Sequence, residues 1–248
     1  MRREVHEVWA PSLGHAGTVV VHGHWGRPVL VFPSEQGRAW DFENNGMVDH
    51  IGDLLELGRV KLYCVDSFDA MSWSNRDLPL EERAQRHGAY ETWVVDEVIP
   101  RLHADCGGPL DVMTTGCSMG AFHALNFAFK RADLFPLAMC FSGNYDPASW
   151  HGWGERGSAA YFNNPTDYVQ HLHGDHLAWL QHRLSVLLVV GRGPFEVHPT
   201  QALPSTEQMG RLLAEKSIRH EVDVWGEDSA HDWSAWGPQL RAHLARFC

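Results

Sequence analysis

The stretch that most constrains this chain is residues 113–121, which reads Met-Thr-Thr-Gly-Cys-Ser-Met-Gly-Ala. An apolar run at residues 110–113 leads into a Gly-x-Ser-x-Gly pattern centred on Ser118, and an apolar, helix-compatible segment follows. Strand, Gly-x-Ser-x-Gly and helix in that order are typical of a nucleophile elbow, a tight turn that needs its glycines because the serine backbone is strained. We therefore expect Ser118 to be a nucleophile, with the Met119 N–H at a helix N-terminus, where negative charge is stabilised.

Length, charge and cysteine usage narrow the class of protein. The 248 residues suffice for one large α/β domain, which we expect to span residues 1–248. The formal net charge of −11 argues against nucleic acid as a partner, because phosphate contacts need clustered Lys and Arg. The apolar runs are too short for a membrane span. The N-terminus lacks the apolar segment of a secretion signal, and five scattered cysteines suit reduced thiols, so we expect a cytoplasmic protein.

Strand-like and helix-like segments alternate along the chain, which predicts a mostly parallel sheet with helices on both faces. Strands are expected at residues 5–9, 18–22, 28–32, 61–65, 110–113, 136–141, 186–190 and 220–225, the first two as an antiparallel pair. Helices are expected at residues 47–57, 80–103, 167–181, 206–216 and 236–247. Pro100 is expected to kink or end the second helix. The segment 142–183, rich in Gly, Asn and Trp, predicts an excursion over the active-site edge of the sheet.

The elbow within such a sheet predicts an α/β-hydrolase fold, whose catalytic residues follow in the order Ser, Asp or Glu, His. His231 lies in the loop directly after the last predicted strand, so we expect it to be the general base. Glu196 is the one carboxylate between the strand at 186–190 and the next helix, and we expect it to orient the imidazole. Asp146, after the preceding strand, and Asp228 are alternatives for the acid.

A second oxyanion donor is expected from the loop after the strand at residues 28–32. Gly37 or Gln36 could supply it, and Gly37 allows close approach of the backbone to a ligand. In this scheme Ser118, deprotonated by His231, attacks a carbonyl carbon. The N–H groups of Met119 and Gly37 hold the oxyanion, and water later releases the acyl group.

Tryptophans in the loops predict the nature of the substrate. Trp40, Trp73, Trp233 and Trp236 are expected to line the pocket, with Trp233 and Trp236 flanking the histidine. Aromatic walls suit a small-molecule ester with an acyl chain or an aromatic group. The histidines at residues 22–24 and 171–176 lack the spacing of zinc ligands, so neither a metal nor another cofactor is expected.

Several motifs together resemble a known family. They are Gly116–Gly120, Tyr63–Ser67 with Ser72-Trp73, Phe141–Asp146, Tyr161–Pro165 and Val224–Trp236. In this combination the chain, over roughly residues 17–248, resembles the putative esterase family, which groups esterase D, enterobactin esterases and the antigen 85 mycolyltransferases. It is most similar to the small bacterial esterase family proteins.

The resemblance implies an α/β-hydrolase fold without a large separate lid, and a Ser–Asp/Glu–His triad. It implies that Ser118 is the nucleophile and His231 the base. Glu196 falls where the acid of the family lies, although many relatives have Asp in a slightly shorter loop. The Arg-Ala step after Gly37 is similar to the oxyanion loop of antigen 85.

Three functions remain open from the sequence. The first is hydrolysis of carboxylic esters, thioesters included. The second is acyl transfer to an alcohol through the same triad. The third is ligand binding by a non-catalytic homologue, and the intact set of Ser, His and Glu argues against it.

Overall fold

One eight-stranded sheet organises the chain in a computed structural model, which describes residues 2–248. The strands are β1 (Arg3–Ala10), β2 (His15–His22), β3 (Arg27–Phe32), β4 (Val60–Val65), β5 (Met113–Cys117), β6 (Leu137–Phe141), β7 (Ser185–Val190) and β8 (Arg219–Val224). Their order across the sheet is β1-β2-β4-β3-β5-β6-β7-β8. β2 pairs antiparallel with β1 and β4, and all other neighbours are parallel. The predicted mostly parallel sheet with an antiparallel opening pair is confirmed.

Helices cover both faces of this sheet, as predicted. They are α1 (Asp41–Asn44), α2 (Met47–His50), α3 (Gly52–Glu56), α4 (Leu80–Trp93), α5 (Ile99–Asp105), α6 (Met119–Lys130), α7 (Ser158–Phe162), α8 (Pro165–Val169), α9 (Gly174–Arg183), α10 (Ala202–Glu215) and α11 (Trp233–Leu244). α1–α3 and α11 pack on one face, and α4–α10 pack on the other. Within residues 2–248, none of the helices combines the length and apolar character needed to cross a membrane.

The central strands are apolar at nearly every position because both of their faces are buried. In β3, Leu30 and Phe32 pack into the core beneath α4–α10, whereas Val29 and Val31 pack into the core beneath α1–α3 and α11. The period of two that sends alternate side chains to opposite faces therefore serves two cores at once. These two cores fix the sheet whose edge carries the functional site.

The helix that begins at Leu80 does not end or break at Pro100. Residues 94–98 form one π-helical turn, and α5 continues from it to Asp105. Pro100 has no N–H to donate, and its ring crowds the preceding turn of an α-helix. The wider turn just before the proline accommodates both effects, so helical structure continues past Pro100.

Two other predicted helices are interrupted. The helical pattern at 47–57 is divided at Ile51 into α2 and α3. The pattern at 167–181 is divided into α8 and α9, and α9 begins at Gly174, whose φ of 62° lies in the left-handed region that glycine tolerates.

The strand before the elbow lies later than predicted. The run at residues 110–113 was expected to form it, whereas β5 spans 113–117. The β-branched Thr114 and Thr115 pair with both β3 and β6 in the interior of the sheet. The strand therefore continues to the residue before Ser118, which places the serine directly at the strand end.

Candidate active site

The carboxyl ends of β3, β5, β6, β7 and β8 lie at one edge of the sheet, because these strands are parallel. Ligands in open α/β sheets bind outside this edge. Ser118 directly follows β5, and Ser142 directly follows β6. Glu196 lies in the loop after β7, and His231 lies in the loop after β8. The fold thus delivers four polar side chains from four strand ends to one place.

The turn at Ser118 has the strained geometry of an elbow. Ser118 has φ 56° and ψ −120°, and its N–H donates to the carbonyl of Phe141 at 2.9 Å. A Cβ added to Gly116 would lie 2.5 Å from the carbonyl of Gly120, and one added to Gly120 would lie 2.5 Å from the carbonyl oxygen of Phe32. Both glycines are therefore required by backbone contact, because no side chain fits at such distances.

Three of the side chains form a continuous hydrogen-bonded line. Ser118 Oγ lies 2.9 Å from His231 Nε2, and His231 Nδ1 lies 3.1 Å from Glu196 Oε2. Glu196 is fully buried, whereas the histidine side chain keeps 10% of its surface exposed. A buried carboxylate on Nδ1 fixes the ring so that Nε2 faces the serine hydroxyl, which is the arrangement a general base requires.

The two alternative acids lie elsewhere. Asp146 caps the 3₁₀ turn at residues 147–149, where its Oδ1 accepts from the Ala148 N–H at 3.0 Å and from Asn164 Nδ2 at 2.7 Å. Asp228 is exposed in the loop after β8. Neither carboxylate hydrogen-bonds to His231, whereas Glu196 does.

The loops that carry Glu196 and His231 are joined through their backbones. The Gly193 N–H donates to the Ser229 carbonyl at 2.9 Å, and the His231 N–H donates to the Pro194 carbonyl at 2.9 Å. A Cβ added to Gly191 would lie 1.9 Å from the Ser229 oxygen. The glycines in the acid loop thus let it lie directly on the histidine loop.

The second oxygen of the Glu196 carboxylate accepts hydrogen bonds from two further groups, which no sequence motif predicts. Glu196 Oε1 accepts from Ser142 Oγ at 2.5 Å and from the Gly191 N–H at 3.2 Å. Ser142 Oγ in turn accepts from Trp236 Nε1 at 2.9 Å. The signal for Ser142 in the sequence was its position directly after a central strand, at the same edge as the other three residues.

The candidate oxyanion donors differ in their availability. Met119 is the first residue of α6, and its N–H has no acceptor within residues 2–248. The Gly37 N–H donates to the Ser34 carbonyl at 2.9 Å, and the Gln36 N–H donates to Asp69 Oδ2 at 3.2 Å. Both N–H groups expected in this role are therefore already hydrogen-bonded, one within the loop and the other to Asp69. In the same loop, Glu35 has an N–H without an acceptor in the described part of the chain.

A cavity of about 250 Å³ opens above the serine and the histidine. Its walls come from the segments that follow six strands, β3 to β8: Glu35, Trp73, Ser74, Arg76, Ser118, Met119, Ser142, Asn144, Ser149, Trp150, His151, Pro199, Thr200, Gln201 and His231. Most of these side chains are polar, and two of them, Glu35 and Arg76, carry opposite charges. The aromatic part of the wall is formed by Trp73 and Trp150, whose rings meet edge to face at 5.8 Å.

Trp73 is thus the one member of the predicted aromatic set that lines this cavity. Trp236 is buried and packs its ring against His231 at a centroid distance of 5.1 Å, and Trp233 packs on Trp236 at 5.0 Å. The guanidinium of Arg38 lies over the ring of Trp40, with its carbon 4.9 Å from the ring centroid. Trp40, Trp233 and Trp236, which were also expected to line the pocket, are not among the residues that line this cavity.

A buried arginine outside any recognised sequence motif holds two walls of the cavity. Arg83 on α4 is fully buried, and its guanidinium donates to five backbone carbonyls. These belong to Trp73 at 3.5 Å, Arg76 at 3.2 Å, Leu78 at 2.8 Å, Trp150 at 3.1 Å and His151 at 3.3 Å. Arg83 therefore fastens the loop at 73–78 to the loop at 150–151. Carbonyl acceptors carry no sequence signature, so this role could not be seen in the chain.

Metal chemistry has no donor set to support it here. Among residues 2–248, no group of three or more His, Cys, Asp or Glu side chains is arranged to hold a metal ion. All five cysteines are free thiols.

Comparison with solved structures places the fold. The chain superposes on MPT51 (FbpC1) of Mycobacterium tuberculosis with a TM-score of 0.77 and 15% identity, covering 99% of this chain and 97% of that one. An S-formylglutathione hydrolase from Agrobacterium tumefaciens gives 0.72 and 15%, with coverage of 98% and 93%. A ferulic acid esterase gives 0.71 and 16%, with coverage of 98% and 96%. At these identities the likeness concerns the fold, which is that of the α/β-hydrolases, with no separate lid domain.

Sequence comparison identifies the family. No sequence among curated proteins matches the chain. The family described as "Putative esterase" matches residues 43–247, which is most of its length. The chain therefore belongs to the putative esterase family and is a carboxylic ester hydrolase.

Proposed function

We propose that the chain is a serine esterase that works through an acyl-enzyme on Ser118, with His231 as general base and Glu196 as the acid of the triad. The observation that carries this proposal is the unbroken line of two hydrogen bonds, 2.9 Å and 3.1 Å long, from serine to histidine to buried carboxylate. Nucleophile, base and orienting group in mutual contact are the signature of covalent catalysis at a hydroxyl.

The proposed reaction has two half-reactions. His231 Nε2 takes the proton of Ser118 as Oγ attacks the ester carbonyl, and the imidazolium then gives that proton to the departing alcohol or thiol. In the second half, the same nitrogen deprotonates a water molecule, which attacks the acyl-serine, and the proton returns to Ser118 Oγ. Glu196 keeps its negative charge throughout, and it stabilises the imidazolium formed in each half.

We propose the N–H of Met119 as one oxyanion donor, because it points from a helix start and has no acceptor in residues 2–248. For the second donor the loop after β3 remains the source. Within this loop, Glu35 is favoured over Gly37, since Glu35 lines the cavity and its N–H is without an acceptor there. Gly37 contributes by close packing, because a Cβ on it would lie 2.0 Å from Asp41 Oδ2.

The size and lining of the cavity favour a short acyl group. About 250 Å³ is below the range of pockets that enclose drug-sized ligands. Polar side chains outnumber apolar ones on its walls, so a long aliphatic chain would leave hydroxyl and amide groups without partners. We therefore propose esters or thioesters of short acids as substrates rather than long-chain lipids.

The proposal is tested with a fluorophosphonate probe and p-nitrophenyl esters. The wild-type protein should be labelled at Ser118 and should hydrolyse the acetate ester faster than the octanoate ester. Ser118→Ala should lose labelling and activity while its thermal unfolding temperature stays close to that of the wild type, because the deleted hydroxyl is only half buried. Ser149→Ala, which removes another hydroxyl of the cavity wall, is the matched control and should still be labelled.

Absence of labelling in folded wild-type protein would refute the serine mechanism, and a preference for octanoate would refute the short-acyl assignment. Product analysis with an added alcohol distinguishes the two uses of an acyl-enzyme. Free acid as the main product supports hydrolysis, whereas a new ester indicates acyl transfer.

A further inference from the structure

We propose that Ser142 and Trp236 form a positioning relay that holds the Glu196 carboxylate in its catalytic orientation. The inference rests on the proposed function, since it concerns the acid of that triad. It assigns to Ser142 a hydrogen bond that acts on catalysis through another residue, without contact with the reacting atoms. Trp236 supports Ser142 from the opposite side.

The direction of each hydrogen bond in the relay follows from the donor inventory of the side chains. An indole Nε1 can only donate, so the 2.9 Å contact from Trp236 uses a lone pair of Ser142 Oγ. The hydroxyl proton of Ser142 is then free for one acceptor, and Glu196 Oε1 lies 2.5 Å away. A carboxylate accepts but does not donate, so this short contact is a charge-assisted O–H···O⁻ bond. Trp236 therefore fixes the orientation of the Ser142 hydroxyl, and that hydroxyl fixes the orientation of the Glu196 carboxylate.

Burial makes this relay matter for the acid. Glu196 and Ser142 are fully buried, and Trp236 is 3% exposed. Within residues 2–248, the only cationic partner of the Glu196 carboxylate is the imidazole of His231, when that is protonated. The rest of its stabilisation comes from neutral donors, the Ser142 hydroxyl and the Gly191 N–H. Removal of one donor from a buried carboxylate with so few partners therefore removes a large part of the stabilisation of its negative charge.

Local geometry ties the relay to the acid–base pair. Ser142 has a φ of 51°, a left-handed conformation that non-glycine residues adopt at a cost, and its N–H donates to the Val189 carbonyl at 2.8 Å. The Trp236 ring meets the His231 ring edge to face, at 5.1 Å and 81°. Trp236 thus contacts the base directly and reaches the acid through Ser142. One indole fixes the relative placement of both.

The first experiment measures Ser142→Ala with a short p-nitrophenyl ester and with the rate of fluorophosphonate labelling. We expect kcat and the labelling rate to fall about tenfold or more, with KM little changed, because a hydrogen bond to a charged group is lost from the transition state. Trp93→Phe is the matched control: Trp93 is buried, and its indole N–H donates to the Val8 carbonyl at 3.2 Å, remote from the triad. It should lose stability but keep kcat.

The second experiment is a double-mutant cycle between Ser142→Ala and Trp236→Phe. Phenylalanine retains a ring against His231 but removes the donor to Ser142. We expect Trp236→Phe to lower kcat less than Ser142→Ala, and the double variant to be no slower than Ser142→Ala alone. If the two substitutions acted independently, the factors by which they reduce kcat would multiply in the double variant, and that outcome would overturn the relay.

The outcomes separate this inference from the proposed function. If wild-type protein is labelled and Ser142→Ala retains the wild-type kcat, the relay is refuted while the serine mechanism stands. If folded wild-type protein is not labelled, the serine mechanism itself fails and the relay fails with it. Circular dichroism checks that each variant is folded. If Ser142→Ala does not fold, Trp236→Phe decides alone, since an unchanged kcat in that variant contradicts the relay.

Discussion

Glu196 is the residue at which the smallest chemical change should have the largest effect. In Glu196→Gln, one carboxylate oxygen becomes an NH₂ group of nearly the same size. An amide cannot stabilise the imidazolium, and an NH₂ facing Nδ1 selects the wrong tautomer of His231. We expect kcat for a short p-nitrophenyl ester to fall about 10³-fold or more, as in the serine protease template, with KM little changed.

Glu207→Gln provides the control for this change. Glu207 lies on the following helix, α10, and its side chain is exposed. The same replacement there should leave kcat unaltered. A Glu196→Gln enzyme with near-normal turnover would mean that another group, such as Asp146, orients the histidine.

The candidate site residues could be predicted where a motif or the preceding strand marks their place in the sequence. Ser118 is marked by its glycines, and His231 and Glu196 are marked by the strands they follow. Gly37 was expected to present its N–H to a ligand, whereas that N–H is bonded to Ser34. Ser142 has no motif of its own, because a serine after a strand is common and only its 2.5 Å contact with Glu196 sets it apart.

At the scale of elements, α4 holds the cavity together through Arg83. Arg83→Lys keeps the positive charge, but an ammonium has three donors, which cannot replace the bonds to five carbonyls of two loops. We expect the free energy of unfolding to drop by about 1–3 kcal/mol, as unpaired buried polar groups cost. The loop walls should loosen, so KM for a short ester should rise more than kcat falls.

Arg86→Lys on the same helix is the comparison for Arg83→Lys. Arg86 is exposed, and within residues 2–248 its one ion pair is with Glu82, through a 2.7 Å contact one turn away. Surface pairs of this kind contribute about 0–1 kcal/mol, so both KM and stability should stay near the wild-type values. Thermal or urea unfolding and Michaelis–Menten kinetics on both variants provide the measurement. Equal effects of the two substitutions would remove Arg83 from its role in the cavity walls.

Elements were predictable where hydrophobic periodicity decides them. The apolar runs identified the central strands, and the sheet is mostly parallel as expected. The boundaries failed where local chemistry competes with periodicity. Pro100 was expected to end or kink a helix, but helical structure continues past it after a π-helical turn at 94–98. The helical pattern at 167–181 concealed a break at residues 170–173, because the pattern continues on both sides of that segment.

At the scale of the whole molecule, a buried histidine should make stability depend on pH. Burial lowers the pKa of His87 to about 4 from its ordinary value of 6.5, although the carboxylate of Glu91 opposes this shift. Between pH 6.5 and 4 the unfolded chain therefore binds a proton that the folded chain does not. Stability should be fully present above pH 6.5 and should fall as the pH is lowered, by at most about 1.4 kcal/mol per pH unit for this group.

His87→Phe tests this dependence, because the ring of His87 already packs among aromatic side chains such as Trp73 and Phe122. The variant should show a smaller loss of unfolding free energy between pH 7 and pH 5 than the wild type. His182→Phe, at an exposed position on α9, should leave that loss unchanged. Urea denaturation at pH 7 and at pH 5 measures the unfolding free energies. If that free energy falls by the same amount in wild type and in His87→Phe, the assignment to His87 is contradicted.

The character of the cavity could not be derived from the sequence, because it depends on how the segments after six strands meet. The many tryptophans suggested an aromatic pocket, yet Trp233 and Trp236 pack beside the histidine, outside the cavity, and polar side chains form most of its wall. The composition of a chain gives the number of tryptophans. It does not determine which of them face Ser118 in the folded protein.

The backbone bonds between the acid loop and the histidine loop bear on how such a protein can diverge. Gly193 and His231 are held by carbonyl groups, which every amino acid possesses, and only the missing side chains of Gly191 and Gly193 are specified at the contact with Ser229. Most neighbouring positions in both loops can therefore change in identity without loss of these backbone bonds. The same fold is compatible with few identical residues, as the 15% identity with MPT51 at a TM-score of 0.77 shows.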